Sequence, residues 1–169
     1  MFKINDHIMY GGTGVCQISE IRKEDCGGNE TEYYILHPVY AHNMTIKTPV
    51  NNPKIVMRPI LTKEEVLTLI ASMPDQETCW IQDQKERSIA FKAALKSREI
   101  EEMIKIIKTI YQEKQVNAKK ITKTDLDLMN AAEKHLCEEF AIALNIQPDD
   151  VIPFIQSQIS CLGTQQESP

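Results

Sequence analysis

Trp80 is the only tryptophan of the 169-residue chain, and it stands in the stretch ETCWIQDQKER at the head of a basic run. Lys85, Arg87, Lys92, Lys96, Arg98, Lys105 and Lys108 follow it, and no acidic residue lies between Arg87 and Arg98. Cationic side chains at such spacing suit phosphate oxygens, and an aromatic beside them is the arrangement of a wedge that enters the minor groove. The plainer reading is a solvated helix face, with Trp80 as a plug packing a helical domain against its neighbour. Both remain open at the level of residue types.

Other residues capable of chemistry form weaker patterns. Cys79 next to Trp80 would serve a thiol nucleophile, but no partner histidine or oxyanion element is legible, which favours a structural thiol. The loop GGTG at 11–14 precedes a β-type run and lacks the lysine of a P-loop, so it reads as a tight turn needing positive φ. His7, His37, His42 and His135 show no zinc-ligand spacing with the cysteines, and no metal or cofactor site is expected. Asp149 and Asp150 resemble an acid pair, yet carboxylates in the first turn of a helix are already accounted for by the helix dipole. The chain does not read as an enzyme.

The elements that must carry these residues fall into two kinds. Over the first sixty residues, short β-branched and aromatic runs alternate with turn signals. Asp6 to Tyr10 leads into GGTG; Val15, Ile18 and Ile21 mark a second strand before the turn CGGN; Tyr33 to Val39 form a third. After AHN, MTIKTPV is a fourth, with Thr45 and Lys47 on one face and Met44, Ile46 and Thr48 on the other; KIVMRPI adds a fifth. This predicts a small barrel of the SH3 or Tudor-like kind.

From Thr62 the period changes to about 3.6. Thr62-Lys-Glu-Glu is a capping box opening a helix through Val66, Leu69 and Ile70, broken at Pro74. The next helix is expected from Glu77 or Thr78, so that Trp80 rides on it. Ile100 to Tyr111 keep helical spacing up to the polar hinge KQVNAKK. Thr122-Lys-Thr-Asp125 opens a helix through Leu126, Met129, Ala132, Leu136, Phe140 and Leu144, capped at Asn145, and Pro148 begins a last short helix through Val151, Phe154 and Ile155. The expected architecture is α+β: a small N-terminal SH3/Tudor-like β-barrel over 1–61, an all-α domain over 62–160, and a flexible tail over 161–169.

Composition bounds the function. With 42% hydrophobic and 25% charged residues the chain has a globular composition, and no apolar run approaches the roughly 20 residues a membrane span needs. The start MFKINDHIMY lacks an export signal, and five scattered cysteines suit a reducing compartment, so a cytoplasmic location is expected. The net charge of −5 conceals a polarity: residues 85–123 carry eleven Lys or Arg against five Glu, whereas Lys134 faces eight carboxylates from 124 onward. The basic middle keeps a nucleic-acid partner in view despite the overall acidity.

Taken in order, the Y-x-x-x-G-V turn (Tyr10, Gly14, Val15), the strand M-T-I-K-T-P-V, the motif W-I-x-D-x-K-x-R-x-x-x-F-K from Trp80 to Lys92, and the closing AEKHLCEEFAIALNIQPDDVIPFI resemble the CarD/CdnL family of bacterial transcription regulators. The barrel is also similar to the polymerase-interacting domain of transcription-repair coupling factors, though no helicase motif follows. The resemblance implies a barrel that binds the β-subunit lobe of RNA polymerase by strand pairing. Lys47 would contact it, with Ile46 on the same strand and Arg22 and Lys23 assisting. It further implies a helical domain on promoter DNA at the upstream bubble edge, with Trp80 in the minor groove and Lys85, Arg87, Lys92 and Lys96 on or near phosphates, stabilising the open complex. The protein would act as a monomer. The sequence differs from many relatives in having Gly11-Gly12 where they carry proline, and in the longer form of the Trp80 motif. The competing reading is a Tudor-like protein adaptor that does not touch DNA.

Overall fold

The β-type period of the first sixty residues becomes one five-stranded antiparallel sheet in the computed structural model, which describes residues 1–25, 28, 30–41, 43–97 and 99–165, the last four of these by backbone alone. Most of the turn CGGN, His42, Arg98 and the end of the tail lie outside the described residues. The strands are β1 (His7–Tyr10), β2 (Gly14–Asp25), β3 (Glu30–Pro38), β4 (Ile46–Pro49) and β5 (Met57–Pro59), in the order β4-β3-β2-β1-β5. The first strand thus pairs with both the second and the last, leaving β4 and β5 as edges. The chain forms two compact units, this one over Met1–Leu61 and a helical one from Thr62 onward. The α+β class is borne out.

The spacing of apolar residues in β2 has a local cause. Cys16 and Ile18 alternate onto the core side, but Ile21 is three residues on, which strict alternation would turn outward. The β2–β3 register shifts between Ile18 and Glu20, so one extra residue is absorbed there and Ile21 returns to the core. Ile8, Tyr10, Cys16, Ile18, Tyr34 and Leu36 form that core, with Ile21, Ile46 and Met57 packed against it. Cys16 acts as a small hydrophobe, and burial pushes its thiol up to about 11. The GGTG loop is the tight turn its glycines suggest. Gly11 has φ +40°, and a Cβ there would meet Ile55 Cγ2 at 2.8 Å. Gly14 has φ +97°.

The helical unit comprises α1 (Lys63–Ser72), α2 (Gln84–Ser97), α3 (Ile100–Asn117), α4 (Lys123–Leu144) and α5 (Pro148–Gln165), with 3-10 turns at Met73–Asp75 and Ala118–Lys120. Helix α4 packs against all four others. Both capping boxes form: Thr62 with Glu65, and Thr122 with Asp125. Asn145 ends α4 in the left-handed region at φ +56°, its N–H reaching the carbonyls of Ala141 and Ile142. Helix α5 runs to Gln165, ten residues past Ile155. The polar hinge is shorter than its composition suggests, because Lys114–Asn117 still belong to α3.

One boundary moves with consequence for function. Helix α2 starts at Gln84, not at Glu77 or Thr78, because Asp83 supplies the cap: its Oδ1 accepts from the N–H groups of Lys85 and Glu86, both at 2.9 Å. Trp80 therefore stands in the loop before the helix.

Candidate nucleic-acid and polymerase interfaces

The loop that carries Trp80 is tied down on both sides. Lys108 of α3 donates its ammonium protons to the carbonyls of Met73, Pro74 and Gln76 at 3.0, 2.7 and 2.6 Å. Thr78 donates its hydroxyl to Gln112 Oε1 at 2.7 Å. Beyond the tryptophan, Arg87 donates from Nη1 to the carbonyl of Ile81 at 2.7 Å. Lys108, grouped by sequence with the phosphate-binding cations, is thus a structural donor to the loop.

Trp80 is half-buried. It packs against the cluster of Phe91, Met103, Ile106, Ile110, Leu128, Met129 and Ala132, so only part of the ring is open to a partner. Its indole also carries the Arg87 guanidinium, whose central carbon lies 4.1 Å from the ring centroid. Stacking of this kind contributes about 2 kcal/mol where water is excluded.

Arg87 itself requires a larger correction. It is 2% exposed and forms a two-pronged ion pair with Asp125, itself 1% exposed. Nε donates to Oδ1 at 2.9 Å and Nη2 to Oδ2 at 2.8 Å. A guanidinium committed to a buried carboxylate and to loop carbonyls has little left to offer a phosphate. Asp125 Oδ2 further accepts from the N–H and hydroxyl of Thr122 at 2.9 and 2.8 Å. Burial alone would raise this carboxyl's pKa, but Arg87 and Thr122 outweigh it and hold the group below the ordinary aspartate value.

The remaining cations of α2 behave differently. Lys85, Lys92 and Lys96 recur at helical spacing on one exposed face with Ile89 among them, and none is in an ion pair with a described residue. Lys105, by contrast, pairs with Glu102 at 2.6 Å. The inner face of the same helix holds Arg87 and Phe91, with Ala94 and Leu95 against the cluster. The structure brings Trp80 and Arg87 together and sets the three lysines on the opposite side of the helix.

In the β unit, register places Arg22 opposite Tyr33, and Tyr33 opposite Pro49. Arg22, Tyr33 and Lys47 consequently share the outer face of the sheet. The Lys47 ammonium sits 4.4 Å from the Tyr33 ring centroid and is ion-paired with Glu24. Arg22 forks onto Glu20 at 3.0 and 2.9 Å, and that hydrogen bond lowers the Glu20 pKa. Lys23 has the opposite parity and lies 3.4 Å from Glu32. Ile46 turns its side chain against the core, so its part in the expected strand pairing would be through the main chain. Tyr33 was missed as a member of this face, although its alternation with the buried Tyr34 was legible.

Among the described residues there is no group of His, Cys, Asp or Glu able to hold a metal ion, and no helix long and apolar enough to cross a membrane. Cys79 is exposed in the Trp80 loop. No curated protein matches the chain. A family model described as the CarD-like/TRCF RID domain matches residues 2–61, stopping where the helical unit begins. Over residues 2–61 the chain is therefore similar to the CarD-like/TRCF RID domain, an RNA polymerase-interacting module.

Proposed function

We propose that this protein is a transcription regulator that binds the β-subunit lobe of RNA polymerase and stabilises the open promoter complex by contacting DNA at the upstream bubble edge. It acts as a monomeric binding protein in the cytoplasm, without catalysis. The observation that carries the polymerase half is the family match over the β unit, which describes an interaction domain and not an enzyme. The DNA half is supported by a half-buried tryptophan on a pinned loop, followed by a helix whose outer face presents Lys85, Lys92 and Lys96. Tethering to polymerase raises the local concentration of the helical unit, so weak intrinsic DNA affinity suffices. The decisive experiment is the mobility of a promoter fragment with polymerase present and absent. A shift that depends on polymerase and lengthens with this protein supports the reading. Polymerase binding with no change in promoter DNA would favour the adaptor.

Lys47→Glu tests the polymerase contact. It reverses a charge beside Tyr33 and repels Glu24, so association with the isolated β lobe should slow and weaken. At matched occupancy of the complex, DNA behaviour should stay as in the parent. Unchanged affinity for the β lobe would remove Lys47 from the interface.

Salt separates the cations of α2. Within the polymerase complex, Lys85→Ala or Lys92→Ala should each reduce the slope of log affinity against log salt by about 0.9, similarly across promoters. Arg87→Ala should leave the slope unchanged, because a guanidinium neutralised by Asp125 displaces no counterion. Parental slopes in both lysine variants would mean that this face meets something other than DNA.

A further inference from the structure

Read in sequence, Arg87 is one cation of a basic run; in the fold it lies under the tryptophan. The guanidinium is planar, and three of its bonds fix that plane: two to Asp125 and one to the carbonyl of Ile81. Its central carbon lies over the indole of Trp80, 4.1 Å from the ring centroid. Asp125 is in turn held by Thr122 at the start of α4. The chain of contacts therefore runs from a helix cap, through a carboxylate and a guanidinium, to the ring.

From this we infer that Arg87 and Asp125 are positioning residues for Trp80: they set the orientation of the indole on folding, and neither touches the nucleic acid. The inference rests on the reading of Trp80 as the residue that contacts DNA. A planar, multiply bonded guanidinium restrains a stacked ring against rotation in a way a lysine ammonium, a point charge on a flexible stem, does not. The backbone before the ring is restrained by Lys108 and by Thr78 with Gln112, while Arg87 holds both the ring and the Ile81 carbonyl just after it. A wedge ordered before binding gives up less freedom on insertion, which lengthens the life of the complex without a new contact.

Because Trp80 is the only tryptophan, its fluorescence reports this site alone. Two variants are needed. Arg87→Lys keeps the charge opposite Asp125 but loses the plane. Arg87→Met combined with Asp125→Asn removes both charges while leaving an oxygen to accept from Thr122, which guards against simple unfolding. Each is measured as the full chain for acrylamide quenching and anisotropy of Trp80, for affinity to polymerase, and for open-complex lifetime, in the parent and in a Trp80→Ala background. Both should fold with helical content unchanged, show a more quenchable and more mobile Trp80, and lose most of the lifetime that Trp80→Ala loses, at unaltered polymerase affinity. In the Trp80→Ala background they should shorten the lifetime no further. A ring as protected and as rigid as in the parent would overturn the proposal, and so would an equal further loss of lifetime without the tryptophan. Should Trp80→Ala itself leave the lifetime unchanged, the DNA-contact reading fails, and the fluorescence measurements still decide whether Arg87 holds the ring.

Discussion

Arg87→Ala should destabilise the helical unit by about 3–5 kcal/mol, the loss typical when one partner of a buried ion pair is removed. The substitution deletes both bonds to Asp125 and leaves that carboxylate 1% exposed with only Thr122 to satisfy it. It also strips the cation from the face of Trp80 and frees the carbonyl of Ile81. Against a total stability of roughly 5–15 kcal/mol for a domain, that is a large fraction. Denaturant unfolding followed by Trp80 fluorescence and far-UV dichroism measures it. A loss below about 1 kcal/mol, the range of exposed pairs, would show that water already satisfies these groups. The pair also sets an acid limit. Asp125 has a folded pKa below its unfolded value of about 3.9, so its contribution is complete above that pH and declines as pH falls through the lower folded value. In Arg87→Ala the principal lowering partner is gone and burial acts to raise the carboxyl, so the acid decline assigned to this residue should vanish.

Trp80→Ala carries the largest functional effect. Loss of an aromatic that stacks on bases forfeits about 1–3 kcal/mol, which corresponds to an open-complex lifetime roughly 5- to 150-fold shorter. The ring also packs against Phe91 and its neighbours, so helical-unit stability should fall, though by less than the 3–5 kcal/mol typical of a fully buried aromatic. Polymerase affinity, which belongs to the β unit in this reading, should be preserved. The decay of competitor-resistant complexes gives the lifetime directly. A folded Trp80→Ala protein that sustains the parental lifetime would exclude the tryptophan as the DNA contact.

How much of this was legible depended on whether the signal was local. Capping boxes, the left-handed Asn145 and the GGTG turn are written in three to five consecutive residues, and each formed as read. Helix α2 was misplaced because Thr78 and Glu77 look like a helix start, while the cap actually used, Asp83, sits inside the basic motif and was read as part of it. The Arg87–Asp125 pair spans 38 positions and joins two helices. Nothing in one sequence distinguishes a cation destined for a buried carboxylate from its solvated neighbours Lys85 and Lys92. The clue, visible only in retrospect, is helical phase: Arg87 shares its face with Phe91, four residues on, whereas Lys85, Lys92 and Lys96 share theirs with Ile89. Asp125 was recognised as a cap, and its second role followed from the side of α4 on which the cap placed it.

The edge strand β4 has a further consequence. A strand left unpaired at a sheet edge, as the proposed pairing with a partner needs, is equally open to other copies of the same chain, and ordered stacking of copies is the usual hazard of such edges. Here the strand is only four residues long, ends in Pro49, and presents Lys47 outward; the opposite edge, β5, is three residues and ends in Pro59. Proline removes a main-chain donor, and a lysine on each successive copy would bring like charges together. On the proposed reading, in which a partner strand pairs with β4, such edges can accept one short complementary strand but give no template for a growing fibre.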